Sequence, residues 1–527
     1  MQLGFVIDHD RCIGCHACTV ACKSENDVPV GSFRTWVKYT ESGEFPEVKR
    51  SFAVLRCNQC TDAPCVEICP VSALEKRSSD GIVDIDPDMC IGCKACMQGC
   101  PYDALYIHPD KGTAQKCHFC AHRTEVGLAP ACAVVCPTEA IIPGDFHDPA
   151  SVVSRLKATG ELSARKTEAG TNPNVWYREA APAGLDPSLT NTTGGSIWAN
   201  SVPGVQADAQ LFEAMEAKAR HEARLEQALG ARTVYDVAHK PLWGKGITGY
   251  LFFKSLAAGI FLAGASLLAP WSAPEFVPPA LALGIPSLAL LFLTVTLVLL
   301  VADLKRPERF LRILLKPNWN SWLAKGSYIL LADSLLLSAW IGLAVFDVEL
   351  PVLLGWVLIG TTALMSALSA AYTGWLFAQA KGRVLWMKRG YAGHLLVQAV
   401  LAGSAALVVV APLLGADAAG LESLATTLLV AVAVHAVLTF LEGHMSPPGR
   451  GPEYHRAARL VTHGPFAALH WGMGVAVGMA LPAALLMAHD LLGGGEWTHV
   501  VAGLAALVGL WFEKDIFVRA GQALPIS

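Results

Sequence analysis

The sequence predicts a cysteine-rich α+β domain followed by an all-α bundle of eight transmembrane helices. All 16 cysteines lie between Cys12 and Cys136, and long apolar stretches dominate the chain from Ile247 onward. Of the 527 residues, 53% are hydrophobic and 16% are charged, whereas about 25% of residues are charged in soluble proteins. The net charge of −4 gives no basic surface for nucleic acid, so no nucleic-acid partner is expected.

Changes of composition along the chain predict the domain boundaries. Residues 1–143 form the predicted cysteine-rich domain, residues 144–240 a connector, and residues 241–527 the membrane domain. Within the connector, the segment 170–204 is rich in Asn, Thr, Pro, Gly and Ser and is expected to be irregular. The segment 206–229 predicts an amphipathic helix.

The cysteine-rich domain contains an internal repeat, because the segment 8–18 returns as the segment 86–96. A duplicated unit is therefore predicted. The cysteines form four groups of four, and the third group, which Pro101 follows, matches the bacterial ferredoxin run C-x2-C-x2-C-x3-C-P. The groups are Cys12, Cys15, Cys18 and Cys22; Cys57, Cys60, Cys65 and Cys69; Cys90, Cys93, Cys96 and Cys100; and Cys117, Cys120, Cys132 and Cys136.

This spacing is typical of thiolate ligands to iron–sulfur cubanes. Three cysteines on one loop reach three irons, and the fourth, at the start of a following helix, points to a neighbouring cluster. The chain starts without an apolar signal segment or a twin arginine, so we expect a reducing compartment and metal-ligating thiols rather than disulfides. Zinc is the alternative for C-x2-C pairs. Four complete groups favour four [4Fe–4S] clusters in a bis-ferredoxin-like domain.

Eight apolar stretches, each long enough to cross a bilayer of about 30 Å, predict the transmembrane helices. Buried helices of a soluble protein are the alternative, and the succession of eight argues against it. The first stretch, which contains Lys254, and the fourth are the least purely apolar. The predicted spans are 247–269, 279–302, 325–346, 351–377, 390–414, 420–441, 465–488 and 497–517.

The loops between the spans predict the orientation in the membrane. An even number of spans places both chain ends on one side. Connections on that side contain basic residues such as Lys305, Lys381 and Arg450, whereas the four opposite loops contain none. The positive-inside rule therefore predicts a multi-pass protein of the cytoplasmic membrane with its cysteine-rich domain on the cytoplasmic side.

Polar residues within the spans concentrate near this same membrane face. Placing such residues inside a bilayer costs free energy, so they are candidates for a functional role. Asp303, Glu442 and Glu513 are expected to be ordinary interface residues at helix ends. Lys254 is expected either to reach the interface or to pair with Asp333. The candidate site residues are Lys254, Asp333, Tyr372, His394 and His435.

A polar pocket beside an electron-transfer domain predicts a quinone site. Quinone chemistry needs two electrons and two protons, so a hydroxyl or imidazole would bind the quinone oxygens and a carboxylate would relay protons to water. The expected quinone is menaquinone or ubiquinone. Haem is the alternative and would need two histidines at matching depth. His394, His435 and His470 permit this, but no repeated histidine pairing supports it, so no haem is expected.

With these cysteine groups, residues 1–145 resemble the four-cluster iron–sulfur subunits of the dimethyl sulfoxide reductase and polysulfide reductase families. The resemblance implies that the first group pairs with the fourth and the second with the third. The implied ligand sets are Cys12, Cys15, Cys18 and Cys136; Cys117, Cys120, Cys132 and Cys22; Cys57, Cys60, Cys65 and Cys100; and Cys90, Cys93, Cys96 and Cys69.

The second half resembles the NrfD-like membrane anchor of the polysulfide reductase family, an eight-helix quinone-binding subunit without haem. The segments 240–244, 303–310, 318–322 and 372–374 carry the resemblance. It favours Tyr372 and nearby polar residues as quinone contacts. In these families the two halves are commonly separate subunits, whereas here they form one chain.

Together, the resemblances imply an electron-transfer and membrane-anchor subunit of a membrane-bound oxidoreductase complex. Electrons would pass between a separate molybdenum or tungsten bis-pterin catalytic subunit, four clusters and the quinone of the lipid bilayer. The chain would react with quinone but not with the final substrate. A partner of a nickel–iron hydrogenase, a redox-driven proton-translocating module and a purely structural anchor are the alternatives.

Overall fold

The computed structural model describes residues 1–43, 46–192, 230–237, 241–268, 279–348, 350–493, 495 and 497–527. The chain divides into two compact units. The first contains residues 1–240 together with 525–527, and the second contains residues 241–524. The amphipathic helix predicted at 206–229 lies outside the described residues.

As far as it is described, the first unit is built on two small sheets and two short hairpins. The first sheet has the order β8-β1-β9, the second has the order β10-β11-β2-β3, and the pairs β4-β5 and β6-β7 form the hairpins. The strands are β1 (Leu3–Asp8), β2 (Thr35–Ser42), β3 (Lys49–Arg56), β4 (Leu74–Lys76), β5 (Val83–Ile85), β6 (Leu105–Ile107), β7 (Ala114–Lys116), β8 (Ile141–Asp145), β9 (Val175–Arg178), β10 (Asn191–Thr192) and β11 (Ala231–Tyr235).

Short helices carry several of the cysteines of this unit. They are α1 (Ala17–Glu25), α2 (Pro64–Glu67), α3 (Ala95–Gly99), α4 (Ala121–Thr124), α5 (Ala131–Val134), α6 (Val152–Ala158) and α7 (Pro182–Leu185).

Strand β1 forms the centre of the first sheet because its sequence is mostly apolar. Phe5 and Ile7 are fully buried, and they pack in one core cluster with Val37 and Val54 of the second sheet. β1 pairs with β8 in the antiparallel sense and with β9 in the parallel sense. The expectation that the segment 170–204 is irregular is therefore wrong for β9, which completes this sheet.

The two copies of the repeat share one backbone conformation. Gly14 and Gly92 have φ values of 70° and 69°, and His16 and Lys94, which precede α1 and α3, have φ values of 59° and 65°. Glycine adopts positive φ readily, and a Cβ atom on Gly14 would also meet the Phe52 ring at 2.6 Å. The turn thus holds the first cysteines of each copy in the same arrangement, in agreement with the predicted duplication.

The second unit is helical. One segment, His470–Ala480, is wound as a π-helix between α16 and α17, a form that is frequent at functional sites. The helices are α8 (Lys245–Leu268), α9 (Pro279–Ala302), α10 (Arg312–Leu315), α11 (Trp322–Val345), α12 (Val352–Gln379), α13 (Tyr391–Val410), α14 (Ala418–Leu441), α15 (Gly451–Thr462), α16 (Ala467–Leu469), α17 (Leu481–Leu492) and α18 (Trp497–Gly521).

Within the described residues, seven helical segments are long and apolar enough to cross a membrane, including the one that joins α16, the π-helix and α17. These seven agree with the first seven predicted spans. The eighth predicted span, 497–517, forms α18 but is not among the seven. The physical reason is that Glu513, Lys514 and Asp515 lie within this helix and make it less apolar.

The helices α8 and α13 approach each other closely at two glycines. A Cβ atom on Gly403 would clash with the carbonyl group of Gly259, and one on Gly259 would clash with the carbonyl group of Ala399. Small residues allow membrane helices to approach and to gain van der Waals contact.

Replacing Gly403 by valine is therefore expected to separate α8 from α13 and to destabilise the membrane unit by about 1–3 kcal/mol. Thermal unfolding in detergent measures the effect as a lower Tm. Gly393→Val is the matched control on the same helix, because a Cβ added there would meet no described atom within 4 Å apart from the neighbouring backbone of its own helix. Equal Tm values for the two variants would contradict the close approach.

Candidate functional site

Within the described part of the first unit, two cavities are each lined by four cysteines. One cavity is lined by Cys22, Cys117, Cys120 and Cys132. The other is lined by Cys69, Cys90, Cys93 and Cys96. Each cavity combines three cysteines of one sequence group with the last cysteine of another group.

The other eight cysteines are grouped by their mutual electrostatic effects. Burial raises the pKa of the Cys65 thiol, and Cys100 and Cys57 raise it further. Burial likewise raises the pKa of the Cys12 thiol, to which Cys136 also contributes. Because these thiols hold their protons strongly, metal binding here must release protons.

We name these sets of neighbouring cysteines cradles. Cradle 1 contains Cys12, Cys15, Cys18 and Cys136; cradle 2 contains Cys22, Cys117, Cys120 and Cys132; cradle 3 contains Cys57, Cys60, Cys65 and Cys100; cradle 4 contains Cys69, Cys90, Cys93 and Cys96.

The cradles follow one another in a line. Cys18 of cradle 1 interacts electrostatically with Cys132 of cradle 2. Cradles 2 and 3 are related in the same way through Cys117 and Cys57, and so are cradles 3 and 4 through one cysteine of each. Each cradle thus has its neighbour within the range of electrostatic interaction between buried thiols.

Backbone amides around the cradles donate to cysteine sulfurs. The amide of Ala140 lies 3.3 Å from Cys136 Sγ, and the amide of Ala114 lies 3.5 Å from Cys90 Sγ. Hydrogen bonds to sulfur help to set the properties of the clusters that cysteines hold. Four thiols around one cavity, with amides directed at sulfur, are a donor set that fits a [4Fe–4S] cluster.

The second unit contains a cavity with polar and apolar walls, formed near the ends of α13, α14, α15 and α18 and at the start of the π-helix. These ends lie on the side of the helical unit where α8 begins, because Trp243 stacks on Trp386 and its carbonyl accepts a hydrogen bond from Gln522. Polar residues of the wall include Lys388, Tyr391, Gln398, Glu442, His470, Glu513 and Lys514.

A chain of two imidazoles connects two carboxylates of this wall. His394 Nδ1 lies 3.0 Å from Glu442 Oε1, His394 Nε2 lies 2.8 Å from His435 Nδ1, and His435 Nε2 lies 2.6 Å from Glu513 Oε2. Two of these contacts, His394 to His435 and His435 to Glu513, are hydrogen bonds, and the two N–H groups of two neutral imidazoles are sufficient for them.

Lysines accompany both carboxylates. Lys388 forms an ion pair with Glu442. Gln398 donates from Nε2 to Glu513 at 2.7 Å and accepts from Lys514 at 2.8 Å. The negative charges are thus paired or hydrogen-bonded, as charges inside a membrane unit generally are.

Tyr372 and Lys254 belong to a second buried cluster. The hydroxyls of Tyr250 and Tyr372 are 2.5 Å apart, and the Tyr250 hydroxyl lies 2.9 Å from Thr373 Oγ1. Lys254 donates to Thr373 and to the Ala370 carbonyl, and its ammonium lies 4.5 Å from the centre of the Tyr372 ring. Among the described residues that line the polar cavity, none belongs to this second cluster.

Asp333 lies in a third position. Ser366 donates to its Oδ1 at 2.9 Å, and within the described residues its buried Oδ2 has no hydrogen-bond partner. The expected alternative that Lys254 pairs with Asp333 is wrong, because the Lys254 ammonium binds groups of α12 instead.

The candidate residues of the membrane unit therefore divide into three groups. His394 and His435 are in direct contact. Lys254 and Tyr372 form part of the second cluster, and Asp333 is separate from both.

Sequence reasoning missed two further residues of the site. Glu442 and Glu513 are expected from the sequence to be interface residues, whereas the structure places them at the two ends of the imidazole chain. The available signal was the adjacent pair of charges, Glu513 and Lys514, within an apolar stretch.

Comparison with known proteins agrees with the cysteine-rich half. Residues 3–24 match a 4Fe–4S binding domain, and residues 48–146 match a 4Fe–4S dicluster domain. The protein NrfC of Escherichia coli K12 is 41% identical over 178 residues, covering 33% of this chain and 80% of that protein. A subunit of the tetrathionate reductase of Salmonella typhimurium is 45% identical over 180 residues, covering 33% of this chain and 72% of that protein.

A third relative is the arsenate respiratory reductase iron-sulfur subunit ArrB of a Shewanella species. It is 36% identical over 225 residues, covering 34% of this chain and 96% of that protein. The second half of the chain, residues 234–525, matches the family described as polysulphide reductase, NrfD. The chain is thus a multi-pass membrane protein that belongs to the NrfD family and carries 4Fe–4S domains on the same polypeptide.

Proposed function

We propose that this chain is the electron-transfer and membrane-anchor subunit of an oxidoreductase complex that exchanges electrons with the quinone pool. One observation carries the proposal: a line of cysteine cradles occurs on the same polypeptide as a polar cavity in a membrane unit. Relatives named as subunits of tetrathionate and arsenate reductases support a separate catalytic subunit. We assign to this partner a molybdenum or tungsten bis-pterin.

Each cradle would hold one [4Fe–4S] cluster through its four cysteines, and the clusters supply one-electron transfer. The chain's own contribution is to bury the ligands and to place the cradles in sequence. In cradle 1, Cys15 is exposed and Cys12 and Cys136 are half-buried, whereas in cradle 4 only Cys93 is half-buried. Cradle 1 is therefore the more accessible end of the line, and cradle 4 is the opposite end.

The quinone head group is assigned to the polar cavity. Phe440, Trp471 and Phe517 provide an apolar wall for a ring and its tail, while Glu442 and Glu513 provide polar groups. Ligand sites commonly combine apolar walls with a few polar groups that fix the orientation.

The imidazole chain suits the proton requirement of quinone chemistry. His394 and His435 connect the two carboxylates of the cavity. A protonated Glu513 can deliver its proton to a quinone oxygen and regain one from His435, because His435 Nε2 lies 2.6 Å from the Glu513 carboxylate and His394 follows at 2.8 Å. Oxidation of a quinol runs the same transfers in reverse. His455 and His463 also line the cavity.

Tyr372 and Lys254 are assigned an indirect role. The charge of Lys254 interacts with that of Lys514, and Lys514 is connected through Gln398 to Glu513. The second cluster thus influences the carboxylate of the cavity through charge and hydrogen bonds.

Asp333 is assigned no part in the quinone reaction. Its hydrogen-bond donor is Ser366 of α12, and it does not line the polar cavity. This assignment departs from the candidate role that the sequence suggests for it.

Extraction of the native complex in mild detergent tests the proposed function. A large subunit that co-purifies with molybdenum or tungsten, together with quinone-dependent turnover, is the expected result. Nickel in the co-purifying subunit would move the assignment to hydrogen metabolism. A chain without any metal-containing partner would overturn the proposed place in an oxidoreductase complex.

The side of the membrane is a separate proposal. The basic connections, such as those around Lys305 and Lys381, support a cytoplasmic first unit. Protease added to intact spheroplasts is expected to leave the first unit uncleaved and to degrade it after lysis. Cleavage in intact spheroplasts would place the first unit on the outer side.

A further inference from the structure

Arg56 lies at the end of β3, beside cysteines of cradles 1 and 2. Its side chain is completely buried. Its Nη1 donates to Cys132 Sγ at 3.2 Å, and its charge interacts with Cys18, Cys117 and Cys132. One guanidinium thus contacts cradle 2 and lies within charge-interaction range of cradle 1.

The charge of Arg56 is not balanced by a carboxylate. Among the residues that the structure describes, Arg56 forms no ion pair with Asp or Glu, and its Nε and Nη2 have no hydrogen-bond acceptor. The Phe5 ring, whose centre is 4.4 Å from the guanidinium carbon, is another neighbour. Burying an unpaired cation and two unused hydrogen-bond donors costs free energy of folding. Anionic hydrogen-bond acceptors beside Arg56 would offset this cost.

We propose that Arg56 binds sulfur of the cluster in cradle 2 and that its charge raises the reduction potential of the clusters in cradles 1 and 2. A [4Fe–4S] cluster with four thiolate ligands is an anion, and its reduction adds one electron without making or breaking a bond. The reduced cluster carries one more negative charge, so a buried cation stabilises it more than the oxidised form. Hydrogen bonds to sulfur also help to set cluster potentials.

This inference rests on the cluster ligands in the proposed function and not on the quinone site or the catalytic partner. Iron analysis of the wild-type chain tests the ligands, whereas midpoint potentials test Arg56. The two ideas can therefore fail separately.

The experiment is a redox titration of the full chain in detergent, followed by electron paramagnetic resonance. For Arg56→Gln, the equilibrium constant for reduction is expected to fall at least tenfold for two clusters. Their midpoint potentials then become more negative by at least about 59 mV, the equivalent of a tenfold change for a one-electron couple. Arg77→Gln is the matched control, because Arg77 carries the same charge but pairs with Asp80 and Glu125. Unchanged midpoints in an Arg56→Gln protein with full iron content would overturn the proposal.

A second variant keeps the proposal testable if the Arg56→Gln protein fails to bind its full iron content. Arg56→Lys keeps the charge but loses the planar group with several fixed donors. It is expected to hold all clusters and to lower the same two midpoints by less than Arg56→Gln does. If only the lysine variant assembles, midpoints equal to those of the wild type would overturn the proposal.

Discussion

Replacing Cys22 and Cys117 together by alanine is expected to remove the signal of one cluster, the same signal that is affected by either substitution alone. Both cysteines line the cavity of cradle 2, although they belong to different sequence groups. A cluster needs its thiolate ligands, so once one substitution has disrupted the cluster of a cradle, a second substitution in that cradle affects no further cluster. Electron paramagnetic resonance of the dithionite-reduced chain and iron analysis measure the loss.

The matched double variant is Cys22→Ala with Cys12→Ala. These two cysteines belong to one sequence group, but Cys22 lies in cradle 2 and Cys12 in cradle 1. The crossed ligand sets therefore predict that two cluster signals are affected. If this pair affects one signal and the pair of Cys22 and Cys117 affects two, each sequence group holds its own cluster and the crossed sets are wrong.

The sequence predicts the cysteine chemistry well because its signal is local. Four ligands within a few residues identify the metal group, and the repeated turn around Gly14 and Gly92 gives the same backbone twice. The crossing of the groups depends on contacts between distant segments, which spacing does not contain. It was available only through the family resemblance. The parallel pairing of β1 with β9 was missed for the same reason, since a short strand in a polar connector has no periodic signal.

In the membrane unit, the sequence predicts where the helices lie along the chain but not which of their faces meet. Helix positions are predictable because the bilayer sets the length and hydropathy of the helices that cross it. Helix α18 contains charged residues and is less apolar than the seven membrane-crossing segments. The rotation of each helix about its axis is set by packing, and helices that are apolar on all sides give little signal for it. The association of His394 with His435 and Glu513, and the separate position of Asp333, therefore required the structure.

Replacing Glu513 by glutamine is expected to reduce quinone turnover by about 100-fold or more, the usual range for loss of a group that transfers protons. The carboxylate accepts hydrogen bonds from His435 and Gln398 and lines the cavity. Glutamine has nearly the same shape but carries no charge and cannot hold the exchanged proton. Turnover of a short-chain quinol or quinone by the native complex measures the effect, while dithionite is expected to reduce the clusters as in the wild type.

Asp515→Asn is the matched control on the same helix, because Asp515 contacts Thr248 and Arg519 and does not line the cavity. It is expected to retain wild-type turnover.

His435→Gln is expected to lose turnover as Glu513→Gln does. The variant with both substitutions is expected to be no slower than the slower single variant, because residues joined by a hydrogen bond do not act independently. Independent, multiplying losses would show that His435 and Glu513 serve separate steps, and normal turnover in Glu513→Gln would remove the quinone from this cavity.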